Sequence, residues 1–143
     1  MSKEEPQIVA DIMTREVATL YEEDNLERIE EAMQRFRFHH VPVVDGRKLM
    51  GLVTHRDLLR VSASSAEKSG ERRTRALHEH LFVRDVMTRD VKTAAPDTPL
   101  AEAGRRMLEL QHGCLPVVED GELVGIVTQS DFVRVAIRLL ERE

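Results

Sequence analysis

Two stretches of this chain place the same reactive groups at the same spacing. Thr54 stands three residues before Asp57 in GLVTHRD, and Thr128 stands three before Asp131 in GIVTQSD. A threonine followed at that distance by a carboxylate suits the start of a helix, where the threonine caps free backbone N–H groups and the aspartate occupies the first turn. Gly51 and Gly125 just before let a strand bend or approach a neighbour closely. The same groups could also bind a ligand. A carboxylate offers two acceptor oxygens to a vicinal diol such as ribose, while the hydroxyl and the helix-start N–H groups suit a phosphate. The two roles are compatible, and the TxxD spacing alone does not choose between them.

Other candidate groups are sparse. His78, Glu79 and His80 form an HEH triplet with no third ligand apparent, so a metal site is not expected. Cys114 is the single cysteine, with no CxxC pair beside it. It precedes an apolar strand and reads as a small core residue in a reducing compartment. No Ser-His-Asp order, paired-carboxylate site, Walker loop or GxGxxG appears, and an enzyme is not the expected reading.

The elements that carry TxxD occur twice, in one register. A shift of about 74 positions lays VADIMTREVAT on VRDVMTRDVKT and HHVPVVDGRKLMGLVTHRD on GCLPVVEDGELVGIVTQSD without an insertion. In the first copy Leu26, Ile29, Met33 and Phe36 mark one face of a helix, with Asp24 as its expected cap and Glu27 completing a capping box. In the second, Leu100, Ala103, Met107 and Leu110 continue the stripe, with Thr98 as cap and Pro99 in the first helical position. VPVVDGRKLMGLVT and LPVVEDGELVGIVT each read as strand, turn and strand, followed by a helix from about His55 or Gln129. Each copy is thus β-α-β-β-α, giving an α/β (α+β) fold of two such motifs. The expected organisation is a tail over 1–8, motif 1 over 9–62, a linker over 63–80, motif 2 over 81–138 and a tail over 139–143. Neither copy alone would bury enough apolar surface, so the two are expected to pack sheet to sheet about a pseudo-two-fold axis.

Composition is that of a globular protein: 143 residues, 41% hydrophobic, 33% charged and a formal net charge of −5. That balance disfavours nonspecific attraction to nucleic acid or anionic membrane. The Arg72, Arg73 and Arg75 cluster in the linker reads as a solvated stretch, so a nucleic-acid partner is not expected. The polar start MSKEEPQIVA and the lack of a run of roughly 18 to 20 apolar residues point to a cytoplasmic protein with no membrane span.

The DxMT opening, the PVV strand and the GxxTxxD ending, repeated in order, resemble the CBS domain, the module first described in cystathionine β-synthase, here in tandem from about Val9 to Val135. The resemblance implies clefts that bind adenosine-containing ligands, and a regulatory rather than catalytic role. It implies one nucleotide site combining Thr128, Ser130 and Asp131 with Thr14, Val17, Thr19, Phe38 and His39, and a second combining Thr54, Arg56 and Asp57 with Thr88, Val91, Thr93, His112 and Gly113. His39 and His40 stand where related modules often hold phosphate-facing groups, and the second copy has Gly113 and Cys114 there, so phosphate contacts should be unequal. Arg56 could meet phosphate in its own site, and Arg15 and Arg89 could reach phosphates or a partner chain.

By that resemblance the chain is a stand-alone sensor of AMP, ADP or ATP that needs no cofactor and regulates a partner protein in trans. A homodimer is expected, with the terminal helix stripe of Phe132, Val135, Ala136, Leu139 and Leu140 available for contact or for intrachain packing. S-adenosylmethionine, NAD or a cyclic dinucleotide are the alternative ligands. A ligand-free structural module is the alternative class.

Overall fold

The structure is a computed structural model that describes residues 5–36, 40–60, 81–110 and 113–142. The chain divides into two compact units that do not follow the repeats. One is the continuous segment Ala18–Val91, and the other joins Met1–Val17 to Lys92–Glu143.

The continuous unit contains α1 (Leu26–Phe36), the strands β1 (His40–Asp45) and β2 (Lys48–Thr54), helical residues 55–60 (α2) and the short α3 (Val83–Val86). The stripe read from the sequence is its core: Leu26, Ile29 and Met33 are buried with Leu20, Val41, Val43, Val53 and Val83. Asn25, one residue later than expected, caps α1, its Oδ1 accepting the Arg28 N–H at 2.9 Å. Asp24 instead accepts the Tyr21 N–H at 2.8 Å. The physical reason is tertiary. The Asp24 carbonyl accepts the Val83 N–H at 2.7 Å, pinning residue 24 outside the helix.

The discontinuous unit holds a 3-10 turn (Val9–Asp11), α4 (Leu100–Leu110), β3 (Cys114–Glu119), β4 (Glu122–Thr128) and α5 (Gln129–Leu140). Its core is Val9, Met13, Ala94, Ala103, Met107, Leu115, Val117 and Val127. Here too the helix start is displaced. Thr98 does not cap α4 but accepts the Ala95 N–H at 2.9 Å, and the Pro99 carbonyl opens the helical ladder by accepting the Ala103 N–H at 3.1 Å. Phe132 of α5 lies against Gly104 of α4.

Each unit is built on an antiparallel hairpin of the same register, β1 with β2 and β3 with β4, carrying an irregularity at the same place, Val43/Val44 and Val117/Val118. The segment before each first helix adds only a single parallel bridge, Leu20 to Val43 or Ala94 to Val117, rather than a full strand.

The outer side of each hairpin is completed by the other repeat. Thr14 and Ile126 exchange both backbone hydrogen bonds, each at 2.9 Å, and Leu52 and Thr88 do the same at 2.9 and 2.8 Å. These pairs account for the repeated glycine. A Cβ on Gly51 would fall 2.7 Å from the Thr88 carbonyl oxygen, and one on Gly125 would fall 2.8 Å from Met13 Sδ and 2.9 Å from the Thr14 carbonyl oxygen. Only a residue without a side chain admits the opening segment of the other repeat at this distance.

The stripe expected on the terminal helix is split. Phe132 and Val135 are half-buried, whereas Ala136, Leu139 and Leu140 are exposed together with Val133 and Ile137, because the buried face of α5 is centred on Asp131, Phe132 and Val135. Among the described residues no helix is long and apolar enough to cross a membrane.

Candidate functional site

In the continuous unit, β2 ends at Thr54 and α2 follows at once, so Asp57 stands in its first turn. A reciprocal capping box forms: the Thr54 N–H donates to Asp57 Oδ2 at 2.9 Å and the Asp57 N–H to Thr54 Oγ1 at 3.1 Å. The hydroxyl of Thr88, delivered by the second repeat, donates to the same Oδ2 at 3.5 Å. Arg60 Nη2 lies 3.5 Å from the other carboxylate oxygen, Oδ1. Asp57 is 5% exposed, while Arg60 is mostly in solvent, so this ion pair contributes little and Oδ1 remains the more available oxygen. His40 is the cross-strand partner of Thr54, and Arg56 is exposed one residue before Asp57.

The discontinuous unit repeats the arrangement with different neighbours. Asp131 Oδ2 accepts the Thr128 N–H at 2.8 Å and the Thr128 hydroxyl at 3.1 Å, and its Oδ1 accepts from Arg134 Nη1 at 3.0 Å. Thr14, paired with Ile126, lies alongside the end of β4. The cross-strand partner of Thr128 is Cys114. Its thiol is 2% exposed and burial pushes its pKa up to about 12, so at neutral pH it is a small core group, as its position before an apolar strand suggests.

Of the first expected site, Thr14, Val17, Thr128, Ser130 and Asp131 share one unit, and Thr19 belongs to the other. Phe38 and His39 lie outside the described residues. Of the second, Thr54, Arg56, Asp57, Thr88 and Val91 share one unit, and Thr93 and Gly113 belong to the other. His112 lies outside the described residues, as do the HEH triplet and the arginine cluster of the linker. His40 falls with the Asp57 group through its pairing with Thr54. Arg60 and Arg134 are carboxylate partners that the sequence reading missed, although their place three residues after each aspartate was a usable signal. Arg89 reaches Glu22 at 3.6 Å within its own unit. Among the described residues no group of three or more His, Cys, Asp or Glu side chains gathers to hold a metal ion.

Both units therefore present a helix-start carboxylate beside a segment donated by the other repeat, and the repeats are the decisive match: residues 9–64 and 83–138 each fit the CBS domain. The chain belongs to the CBS domain family. Among solved structures, this CBS pair is similar to a putative acetoin utilization protein (AcuB) from Vibrio cholerae, with 40% identity, a TM-score of 0.78 and coverage of 94% of this chain and 93% of that one. It is also similar to CBSX2 in complex with AMP, with 27% identity, a TM-score of 0.79 and coverage of 95% and 100%. A third similar structure is the CBS domain pair of protein MJ0100 in complex with 5-methylthioadenosine and S-adenosyl-L-methionine, at 26% identity, a TM-score of 0.78 and coverage of 94% and 99%. The chain spans 22% to 24% of the length of the curated enzymes to which it is similar, inosine-5'-monophosphate dehydrogenase of Korarchaeum cryptofilum and homoserine O-acetyltransferases of methanogen species such as Methanococcoides burtonii.

Proposed function

We propose that this CBS pair is a regulatory module that binds an adenosine-containing ligand, AMP, ADP or ATP, at the groups around Asp57 and Asp131. Occupancy then changes its contact with a partner protein. The observation that carries the reading is the convergence of both repeats on one carboxylate: Thr88 of the second repeat donates to Asp57 of the first. A ribose diol at that carboxylate would be held beside a segment of the other repeat, so ligand binding and the mutual placement of the repeats would be linked. The ligand can act only through its different affinity for the placements it bridges. AMP in the complex of CBSX2 supports the choice of ligand class. Similarity to a minor part of two much larger enzymes supports regulation rather than catalysis, with an enzyme as the regulated partner.

A second reading is an S-adenosylmethionine sensor, favoured by the ligands of the MJ0100 pair. A homodimer in the cytoplasm, with the exposed Val133, Ile137 and Leu140 of α5 at the contact, completes the proposal. Calorimetry with AMP, ATP and S-adenosylmethionine tests it. Heat from a phosphate-bearing nucleotide supports the first reading, heat from S-adenosylmethionine alone the second, and heat from none leaves a structural module.

A further inference from the structure

The two carboxylate groups share most of their parts. Each has the Thr-x-x-Asp helix start and an arginine three residues later on Oδ1, Arg60 at 3.5 Å or Arg134 at 3.0 Å. Each opening segment carries a Thr-Arg pair, Thr88-Arg89 or Thr14-Arg15. When these common features cancel, the difference is confined to two positions. The cross-strand partner of the capping threonine is His40 in one unit and Cys114 in the other. The residue before the aspartate is Arg56 in one and Ser130 in the other, both exposed.

Arg56 is the uncommitted cation. Arg60 is engaged with Asp57 and Arg89 with Glu22, whereas Arg56 forms neither an ion pair nor a hydrogen bond among the described residues. A guanidinium in the first turn of a helix adds a forked donor to backbone N–H groups that already favour an anion. Ser130 supplies a neutral hydroxyl, and Cys114 a buried thiol with no charge to offer. Arg15 gives the discontinuous unit positive charge on its opening segment, but its counterpart Arg89 does so in the continuous unit, so that pair does not discriminate.

We infer that the two groups sort ligands by charge: the Asp57 group takes a phosphate-bearing adenosine ligand, the Asp131 group takes an adenosine ligand with little or no phosphate, and Arg56 sets the difference. The inference rests on reading both groups as adenosine sites. A protein built this way reports two chemically distinct ligands rather than one ligand twice.

Titration of Asp131→Ala and Asp57→Ala, each retaining one group, with ATP and with adenosine at low salt tests the assignment. The ATP-to-adenosine affinity ratio is expected to be about tenfold or more higher in Asp131→Ala, which keeps the Asp57 group. Arg56→Ser should lower ATP affinity at one class of sites by a similar factor, and Ser130→Arg should raise it at the other. These two substitutions are at exposed positions and leave both caps in place, so they carry the test if an aspartate variant does not fold. Equal ratios in the two aspartate variants, or ATP binding unaltered by both Arg56→Ser and Ser130→Arg, overturn the inference while leaving adenosine binding intact. Failure of both ATP and adenosine to bind the unaltered protein overturns the site reading, and this inference with it.

Discussion

The Thr88 hydroxyl donates to Oδ2 of Asp57 across 3.5 Å, although 31 positions separate the two residues in the chain. The bond ties a helix cap of one repeat to the opening segment of the other. It also means that capping and any ligand role share one carboxylate: Oδ2 is occupied by Thr54 and Thr88, leaving Oδ1 and its solvent-exposed Arg60 partner as the side open to exchange.

Alanine at Asp57 or Asp131 is therefore expected to do two things. Nucleotide binding at the altered group should weaken by about 2 kcal/mol, roughly 30-fold, as charge-assisted bonds to the sugar vanish. The unliganded protein should also lose about 1 kcal/mol through the cap. Asparagine separates the effects, because its carbonyl oxygen still caps while the charge is gone. Calorimetry and thermal melting of the four variants provide the check, and unchanged affinity in both folded alanine variants would remove the ribose role.

Gly51→Ala and Gly125→Ala are expected to destabilise the fold by about 1–3 kcal/mol each, through overpacking against a neighbour that cannot swing aside. At Gly51 the obstacle is the Thr88 carbonyl oxygen at 2.7 Å, and at Gly125 the Thr14 carbonyl oxygen at 2.9 Å stands behind the movable Met13 side chain. Urea denaturation would show lowered midpoints. Unshifted midpoints would mean that the opening segments are not held against the hairpins.

Acid should loosen the turn at Val9–Asp11. The Asp11 carboxylate accepts the N–H groups of Gln7 at 2.9 Å and Ile8 at 3.1 Å, and these backbone bonds hold its pKa below the ordinary carboxylate value. Its contribution is present above the unfolded carboxylate pKa and is lost as pH falls through the lower folded value. Asp11→Asn should flatten the acid limb of stability measured between about pH 5 and pH 2. Parallel limbs for the two proteins would contradict this.

Cys114 should resist alkylation in the native protein. Burial raises its thiol from 9.0 to about 12. Folding therefore favours the neutral thiol, and that contribution is complete below the unfolded thiol pKa and fades as pH rises through about 12. At about pH 8, iodoacetamide should label it slowly in buffer and rapidly in urea, since the thiolate is the nucleophile. Rapid labelling in buffer would show that β3 opens locally.

The local features were legible in the sequence and the long-range ones were not. The stripes at Leu26–Met33 and Ala103–Met107, both hairpins, and the helix starts after Thr54 and Thr128 follow from short-range periodicity and turn chemistry, and all are present. The caps at Asp24 and Thr98 were misplaced because a bond from Val83 to Asp24 and one from Ala95 to Thr98 compete for those residues, and no local pattern announces them. The expectation that a glycine allows close approach was right in kind, but the identity of what approaches, the opening segment of the other repeat, depends on contacts far apart in sequence. The grouping of Thr88 with Asp57 came from family resemblance, and their hydrogen bond gives it a physical basis. On α5 the amphipathic pattern could not say which flank of the stripe would meet the core, and Leu139 and Leu140 ended outside it.

The discontinuous unit has a consequence for how the chain is made. Residues 18–91 are contiguous and can close on one another while the ribosome is still working, but Thr14 cannot reach Ile126 until 112 more residues (126 minus 14) have been added. At roughly 5–20 residues per second that interval is about 6–20 s. Throughout it Val9 and Met13 lack the strand they will eventually cover, which makes the earliest-synthesised apolar residues the last to find shelter and the natural target for a chaperone.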